Sequence, residues 1–189
     1  MNADVSTEEG ILKIVSTMEG KQIKYLFNNA GYFSTQSSWG SYEASEFDMT
    51  MDINVKAPLF LASRLTYAPN ARIFNIGSAA GFRYSGNNAY YCISKAALNM
   101  VNTVINAHLN EQGVYSCYVL PGAVDTDMLH KSGLIAKMKS PPHGPEVAAK
   151  FCIWLTNDSI ESEDFISKLW NIYDETLHPM WVAEGMEPP

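Results

Sequence analysis

The sequence predicts an α/β fold in which strands and helices alternate around a parallel sheet, and three observations lead to this prediction. Short apolar runs with the length of buried strands lie at residues 23–27, 73–76 and 114–120. Between these runs, apolar residues recur at steps of three or four, as they do on one face of a helix. Turn residues separate the two kinds of segment. Such alternation is typical of a doubly wound sheet with right-handed crossovers.

The first predicted elements are a surface helix and a short strand. Ser6 and Glu9 have the spacing of a capping box, and apolar residues at helical spacing follow as far as Gly20. The strand at residues 23–27 leads into an Asn-Asn-Ala-Gly tetrapeptide, whose small residues would let a nucleotide approach the backbone. Taken alone, the tetrapeptide fits an ordinary turn at the end of a strand better.

A long helix is expected from about Ser45 to Tyr67, with Pro58 in its middle. Proline has no amide hydrogen, so Pro58 would leave the backbone oxygen of Asn54 without its helical partner. That oxygen would then be free to bind water or another donor. The alternative interpretation is a kink that only shapes the packing.

The stretch from Arg72 to Lys95 carries the candidate catalytic groups. Ser78 follows a buried strand, at the carboxyl edge where parallel sheets bind ligands. Tyr91 and Lys95 are four residues apart and share a face of the next helix. An ammonium group beside a phenol favours the phenolate, so this pair can exchange protons near neutral pH. Tyr90 is the rival phenol, but at five residues from Lys95 it lies far round the helix.

The C-terminal half is expected to continue the alternation, with a helix up to Gln112-Gly113 and a strand at residues 114–120. Residues 129–145 are rich in Gly, Pro, Lys and His, and in this position we expect a mobile lid. Two histidines in this lid, His130 and His143, are expected to be solvated.

The last predicted elements follow from Pro145, which is expected to begin a helix. Residues 165–173 are rich in large apolar side chains and are predicted to form the last strand. Residues 174–189 are predicted to be an acidic tail.

The composition excludes several classes of function. The net charge of −7 argues against a surface for nucleic acid or anionic membranes, and no apolar run reaches the roughly 18 to 20 residues of a membrane span. Cys92, Cys117 and Cys152 are scattered and contain no C-x-x-C pair, which argues against a disulfide framework and a metal site. Residues 1–189 are therefore predicted to form a single domain of a cytoplasmic protein.

The order of motifs along the chain resembles the short-chain dehydrogenase/reductase family. The motifs are Asn-Asn-Ala-Gly at 28–31, Asn54, Ser78, Tyr91-x-x-x-Lys95, and Pro121-Gly122 with Thr126. Tyr-x-x-x-Lys alone is a weak signal, but the resemblance runs over almost the whole chain. It implies a Rossmann-like sheet and an NAD(P)-dependent oxidoreductase that interconverts a small-molecule carbonyl and an alcohol by hydride transfer.

The resemblance also implies a role for each matching residue. Tyr91 would transfer the proton, Ser78 would orient the substrate oxygen, and the backbone oxygen of Asn54 would hold a relay water. Lys95 would lower the pKa of the phenol and bind the ribose. The cofactor, NAD or NADP, would contact Asp4, Val5, Asn28, Ala30, Gly31, Tyr91, Lys95, Pro121, Gly122, Val124 and Thr126. The family pairs its fourth and fifth helices, here residues 45–67 and 89–110, so a homo-oligomer is expected.

The sequence departs from the family at its N-terminus. Members begin with a strand and a Thr-Gly-x-x-x-Gly-x-Gly turn, which sets a helix N-terminus against the cofactor pyrophosphate. No such motif occurs here, and Asp4-Val5 resembles the end of the family's third strand. We therefore expect an N-terminally incomplete sheet with an uncovered apolar edge at residues 23–27. The alternative function is a non-catalytic truncated member that acts as a binding or oligomerisation partner.

Overall fold

A parallel four-stranded sheet lies at the centre of the structure, a computed structural model that describes residues 1–34, 39–84 and 88–177. All three strand pairings are parallel, and the strands lie in the order in which they occur along the chain. The strands are β1 (Ile23–Asn28), β2 (Tyr67–Ile76), β3 (Val114–Leu120) and β4 (Trp170–Asn171). This architecture confirms the predicted Rossmann-like α/β class.

Helices on both faces of the sheet connect these strands. They are α1 (Glu8–Thr17), α2 (Ala44–Met51), α3 (Ala57–Arg64), α4 (Ala89–Leu109), α5 (Asp127–Ser132), α6 (Pro145–Trp154) and α7 (Ser162–Ser167). The N-cap of α1 is Thr7, whose hydroxyl accepts a hydrogen bond from the Gly10 amide at 3.0 Å. The predicted cap at Ser6 is therefore wrong by one residue. The Ser6 amide instead donates to the carboxylate of Asp4 at 2.9 Å.

The single helix predicted for residues 45–67 is interrupted by a π-helical turn at Asp52–Lys56. In this turn the Ala57 amide donates to the carbonyl of Asp52, five residues earlier. Pro58 is the second residue of α3, and the helical backbone runs without interruption from the π-helical turn into α3. The predicted helix thus contains a π-helical turn before Pro58, and the free backbone oxygen of Asn54 stays a prediction.

The predicted boundaries around β2 also shift. The helix ends at Arg64, three residues earlier than predicted, and Tyr67 already begins β2. Asn70 has a left-handed backbone with φ 55°, which asparagine tolerates better than most residues. Asn70 therefore lies within the first half of β2, which begins six residues before the predicted run at residues 73–76.

Residues 165–173 are not one strand, as predicted. Phe165 lies in α7, and only Trp170 and Asn171 pair with β3. Short apolar runs fit a buried helix and a buried strand equally well, which explains the error. The predicted tail begins with a 3-10 turn at Glu175–Leu177, and its residues 178–189 lie outside the described residues.

Two apolar clusters cover opposite faces of β2 and β3. On one face α6 and α7 pack on the sheet through Phe74, Cys117, Val119, Phe151, Trp154 and Phe165. On the other face α3 and α4 pack on it through Ala62, Ile73, Leu98, Val101, Tyr118 and Leu120. Within the described part of the chain β1 lies at the sheet edge, where Tyr25 and Phe27 remain 37% and 40% exposed.

Candidate active site

The carboxyl ends of three parallel strands meet at one edge of the sheet. β1 ends at Asn28, β2 ends two residues before Ser78, and β3 ends directly before Pro121. The ammonium group of Lys95 donates to the carbonyl of Ile76, the last residue of β2, at 2.7 Å. This contact places the first turns of α4 at the same edge.

Ser78 lies close enough to Tyr91 at this edge to influence the pKa of its phenol. Ser78 has an extended backbone, and its hydroxyl also accepts a hydrogen bond from the Ala80 amide at 3.1 Å. Burial raises the pKa of the Tyr91 phenol above its ordinary value, and the hydrogen bond with Ser78 offsets this only in part. A lowered pKa was expected for Tyr91, so the structure corrects the direction. The phenol is protonated at neutral pH.

Lys95 lies close to the Tyr91 ring and is 4% exposed. Its ammonium nitrogen is 5.5 Å from the centroid of the ring. Burial lowers the pKa of Lys95 to about 8. The structure therefore brings Ser78, Tyr91 and Lys95 together, as predicted, but the hydrogen bond of the ammonium group goes to the backbone of Ile76.

We expect the buried ammonium group of Lys95 to make stability depend on pH. Because its pKa is lowered from 10.5 to about 8, the unfolded chain binds more protons between these values. Below pH 8 the buried ammonium group destabilises the folded state by its full amount. This destabilisation disappears as the pH rises through 10.5. Relative to Lys95→Met, the parent should gain up to about 3 kcal/mol of unfolding free energy over this range. Urea unfolding of both proteins at several pH values measures the gain, and a constant difference would contradict it.

Asn54 lies in the π-helical turn and is 1% exposed. Its side chain accepts a hydrogen bond from the Tyr32 amide at 2.8 Å and donates to the Tyr32 carbonyl at 2.9 Å. It also donates to the hydroxyl of Ser94, which stands between Tyr91 and Lys95 on α4. Asn54 therefore ties the loop after β1 to α4, a contact that the sequence did not predict.

The side chain of Asn28 belongs to a buried polar network inside the sheet. Its amide donates to the side chain of Asn75 at 2.8 Å, and Asn75 donates to Asn102 at 3.1 Å and to Ser116 at 2.9 Å. These contacts join β1, β2, β3 and α4. Asn75 within an apolar run was the sequence signal for this network, because a buried side-chain amide requires hydrogen-bond partners.

Ala30 and Gly31 follow Asn28 in the loop after β1. A Cβ atom at Gly31 would lie 3.6 Å from the side chain of Met128 in α5 and 3.7 Å from that of Asn54. The loop therefore passes between the π-helical turn and α5, at the edge where the candidate catalytic residues lie.

His143 holds the loop that follows β3. Its Nε2 atom lies 2.8 Å from the carbonyl oxygen of Pro121, and its Nδ1 atom lies 3.0 Å from that of Gly144. Val124 pairs with His143 in a parallel bridge. His143 is thus a structural residue, although the sequence predicted a solvated one. Gly122 has φ 76°, a left-handed conformation that suits glycine.

The predicted lid contains the short helix α5 and a 3-10 turn at Ile135–Lys137. Thr126 is the N-cap of α5, because its hydroxyl accepts a hydrogen bond from the Leu129 amide at 3.3 Å. The exposed side chain of His130 pairs with the carboxylate of Asp125 at 2.7 Å.

Asp4 and Val5 precede α1 in a turn and pair with no strand of the described residues. The hydrogen bond from Ser6 lowers the pKa of the Asp4 carboxyl group. A Cβ atom at Gly10 would lie 1.8 Å from the carbonyl oxygen of Asp4, so the turn packs directly on α1. Their contact with the adenine stays a prediction.

Tyr90 has a different role from Tyr91. Its hydroxyl donates to the carbonyl of Glu43 at 3.2 Å, and its ring packs against Tyr42 and Phe47. Tyr90 is 4% exposed and joins α4 to the start of α2. The geometry therefore favours Tyr91 as the reacting phenol.

Within residues 1–34, 39–84 and 88–177, no three His, Cys, Asp or Glu side chains are placed to bind a metal ion. No helix in these ranges is both long and apolar enough to cross a membrane. Cys92, Cys117 and Cys152 form no disulfide bond there.

Residues 1–134 match the family model described as short chain dehydrogenase. This match covers more than half of the chain. Together with the parallel sheet, it shows that the chain belongs to the short-chain dehydrogenase/reductase family.

Individual relatives are similar over part of their length. An uncharacterized oxidoreductase of Staphylococcus epidermidis is 32% identical over 135 residues, which cover 68% of this chain and 58% of that protein. An L-xylulose reductase of Caenorhabditis elegans is 34% identical over 131 residues, 66% of this chain and 51% of that protein. The chain thus spans little more than half the length of these relatives.

A solved structure supports the fold. The crystal structure of a short chain dehydrogenase from Burkholderia cenocepacia in complex with NADP superposes with a TM-score of 0.73 at 21% identity. The superposition covers 90% of this chain and 72% of the other.

Proposed function

We propose that this protein is an NAD(P)-dependent oxidoreductase that interconverts a small-molecule carbonyl and an alcohol. The observation that carries the proposal is the contact of Tyr91 with both Ser78 and Lys95 at the carboxyl edge of a parallel sheet. Family membership and the oxidoreductase names of the relatives support it. The NADP complex of the Burkholderia structure supports the cofactor class.

The residues at this edge fit the nicotinamide and ribose half of the cofactor. Lys95 offers an ammonium group for ribose hydroxyls, and the loop after β3 offers backbone groups fixed by His143. When bound, the cofactor supplies the hydride. The proposed contacts are Asp4, Val5, Asn28, Ala30, Gly31, Tyr91, Lys95, Pro121, Gly122, Val124 and Thr126.

The proton chemistry follows from the protonation states of the side chains. Tyr91 is protonated because burial raises its pKa, so it donates a proton to the substrate oxygen in the direction of carbonyl reduction. The Ser78 hydroxyl hydrogen-bonds the same oxygen and orients it. Lys95 stabilises the phenolate that forms, since a cation near the ring favours its anionic state. A water on the backbone oxygen of Asn54 returns the proton.

The test compares full and half cofactors. The glycine-rich turn that binds pyrophosphate in the family does not occur in residues 1–189, so we expect these residues alone to supply two or three fewer charge-assisted hydrogen bonds to the pyrophosphate. At about 1.5 to 3 kcal/mol each, we expect NADH and NADPH to bind no tighter than about millimolar. Reduced nicotinamide mononucleotide should then serve about equally well.

The assay follows the dihydronicotinamide absorbance with each donor and a series of aldehydes and ketones. Donor oxidation that requires the carbonyl supports the proposal. Absence of oxidation with every donor at millimolar concentration contradicts it and favours the non-catalytic alternative. Micromolar saturation by NADH or NADPH would show that other residues of the chain bind the pyrophosphate.

We further propose a single-domain cytoplasmic protein that binds neither nucleic acid nor membranes. The net charge of −7 supports this, because such surfaces attract clustered basic residues. Three cysteines without a disulfide bond fit a reducing compartment. Fractionation of cells that produce the tagged chain measures the location, and recovery with membranes or chromatin would contradict it.

We also propose a homo-oligomer through the outer face of α4. Ile93, Met100 and Val104 lie on this face at helical spacing and are 50%, 62% and 38% exposed. Three apolar side chains in one row are suited to cover the same row of a second copy. Sedimentation at micromolar concentration should show a dimer or larger species that Met100→Glu weakens. A stable monomer of the parent would contradict this prediction.

A further inference from the structure

Tyr118 connects the two parts of the candidate active site. It lies in β3 and is 2% exposed. Its hydroxyl accepts a hydrogen bond from the Ser78 amide at 3.1 Å and donates to the Lys95 carbonyl at 3.0 Å. The Ser78 carbonyl lies 3.3 Å from the same hydroxyl. One buried phenol therefore joins the backbone at Ser78 to the turn of α4 that carries Tyr91 and Lys95.

Two glycines provide the space that Tyr118 occupies. A Cβ atom at Gly77 would lie 2.1 Å from the ring carbon Cζ of Tyr118. A Cβ atom at Gly81 would lie 2.9 Å from the Tyr118 hydroxyl oxygen and 2.9 Å from the carbonyl oxygen of Lys95. Because side-chain carbon atoms do not approach so closely, the ring position and both glycines depend on one another. The ring of Phe82 packs edge-on against Tyr118, with centroids 5.8 Å apart.

We propose that Tyr118 is a positioning residue that sets the distance between the Ser78 hydroxyl and the Tyr91 phenol. The effect of Tyr118 on catalysis rests on the proposed function. Its effect on the positions of Ser78 and Tyr91 is independent of that function. Ser78 is held on its backbone directly, and Tyr91 is held through the helical turn that ends at Lys95. Because a shift of about 1 Å costs a factor of about a hundred in rate, such a tether matters for proton transfer.

The hydroxyl of Tyr118 is suited to this role over a wide pH range. Burial raises the pKa of Tyr118 far above its ordinary value, although the hydrogen bond with Ser78 lowers it slightly. The phenol therefore stays protonated and keeps donating to Lys95. It takes no part in proton transfer to substrate, since its hydrogen bonds go to backbone atoms.

Tyr118→Phe removes these hydrogen bonds and keeps the ring. Tyr67→Phe is the matched control, because Tyr67 is also a phenol of the sheet and donates to a backbone carbonyl, that of Ala62, at 3.1 Å. The readouts are the 13Cζ resonance of Tyr91 and the hydrogen exchange rate of the Ser78 amide. Tyr118→Phe should shift the resonance and speed the exchange about tenfold, while Tyr67→Phe changes neither.

A double-mutant cycle separates positioning from a general loss of stability. Because Tyr118 also holds Tyr91 through the turn at Lys95, Tyr118→Phe should shift the Tyr91 resonance less in a Ser78→Ala background than in the parent. An equal shift in both backgrounds, or an unchanged resonance with Ser78 present, would overturn the proposal. If Tyr118→Phe does not fold, hydrogen exchange of the Ser78 amide in the parent protein is the test. Slow exchange supports the hydrogen bond to Tyr118, and exchange as fast as in an unfolded peptide overturns the proposal.

Turnover gives an additional readout with the donor that the parent oxidises. Tyr118→Phe should lower kcat about tenfold to a hundredfold and leave the KM for the donor unchanged. A kcat equal to that of the parent would overturn the proposal. If the parent oxidises no donor, the proposed function fails, and the resonance and exchange measurements alone decide the role of Tyr118.

Discussion

Tyr91→Phe is expected to lower the rate of carbonyl reduction about a hundredfold to ten-thousandfold, with little change in donor binding. The substitution removes only the hydroxyl that gives its proton to the substrate oxygen. The ring that packs near Lys95 and against Phe33 remains. The measurement compares turnover and donor affinity of the variant and the parent, using the donor that the parent oxidises.

Tyr90→Phe is the control for this prediction because it removes a hydroxyl from the neighbouring position of the same helix. The Tyr90 hydroxyl donates to the Glu43 carbonyl, so its loss should cost about 1 kcal/mol of stability. Turnover should stay within about twofold of the parent, since the group lies outside the proposed relay. An equal loss of turnover in both variants would contradict the assignment of Tyr91.

Arg72→Met is expected to lower the free energy of unfolding by about 3 kcal/mol or more. Arg72 is 6% exposed, and its guanidinium donates to the carbonyl oxygens of Leu155 at 2.8 Å, Asn157 at 2.9 Å and Ile160 at 2.6 Å. It also lies over the Phe165 ring at 4.8 Å. Each buried carbonyl that loses its donor lowers the free energy of unfolding by about 1 to 3 kcal/mol. The substitution also removes the desolvation penalty of a buried charge, which offsets part of this loss.

Arg64→Met is the matched control for Arg72→Met. Arg64 pairs with the exposed carboxylate of Glu8 at 3.1 Å and lies over the Phe60 ring. An exposed pair of this kind contributes at most about 1 kcal/mol. Urea unfolding of both variants gives the comparison, and equal destabilisation would show that the three carbonyl contacts of Arg72 carry little of the stability.

The elements that were predicted correctly share a strong local signal. β1 and β3 lie within one residue of their predicted positions, and α4 ends three residues before the predicted stop at Gln112-Gly113, because the apolar residues of each follow a single period. The meeting of Tyr91 and Lys95 was predictable for a similar reason, since residues four apart share a helix face. Ser78 was predictable as the residue at the end of a buried strand.

The errors arise where local signals conflict. Pro58 predicted a missing hydrogen bond or a kink within one helix, whereas the structure has a π-helical turn at Asp52–Lys56 directly before α3. Phe165 and Trp170 are both fully buried, so their hydrophobicity could not distinguish the helix α7 from the strand β4. In both places the packing of neighbouring elements decides between conformations of similar local energy.

The sequence by itself determined the family, the alternation of strands and helices around a parallel sheet, and the candidate catalytic residues, because these depend on local periodicity and motif spacing. Only the tertiary structure decided that the pKa of Tyr91 is raised, that Lys95 donates to Ile76, and that Tyr118 ties Ser78 to α4. Burial and hydrogen bonding depend on which distant segments enclose a side chain. A residue type at a given spacing does not specify that enclosure.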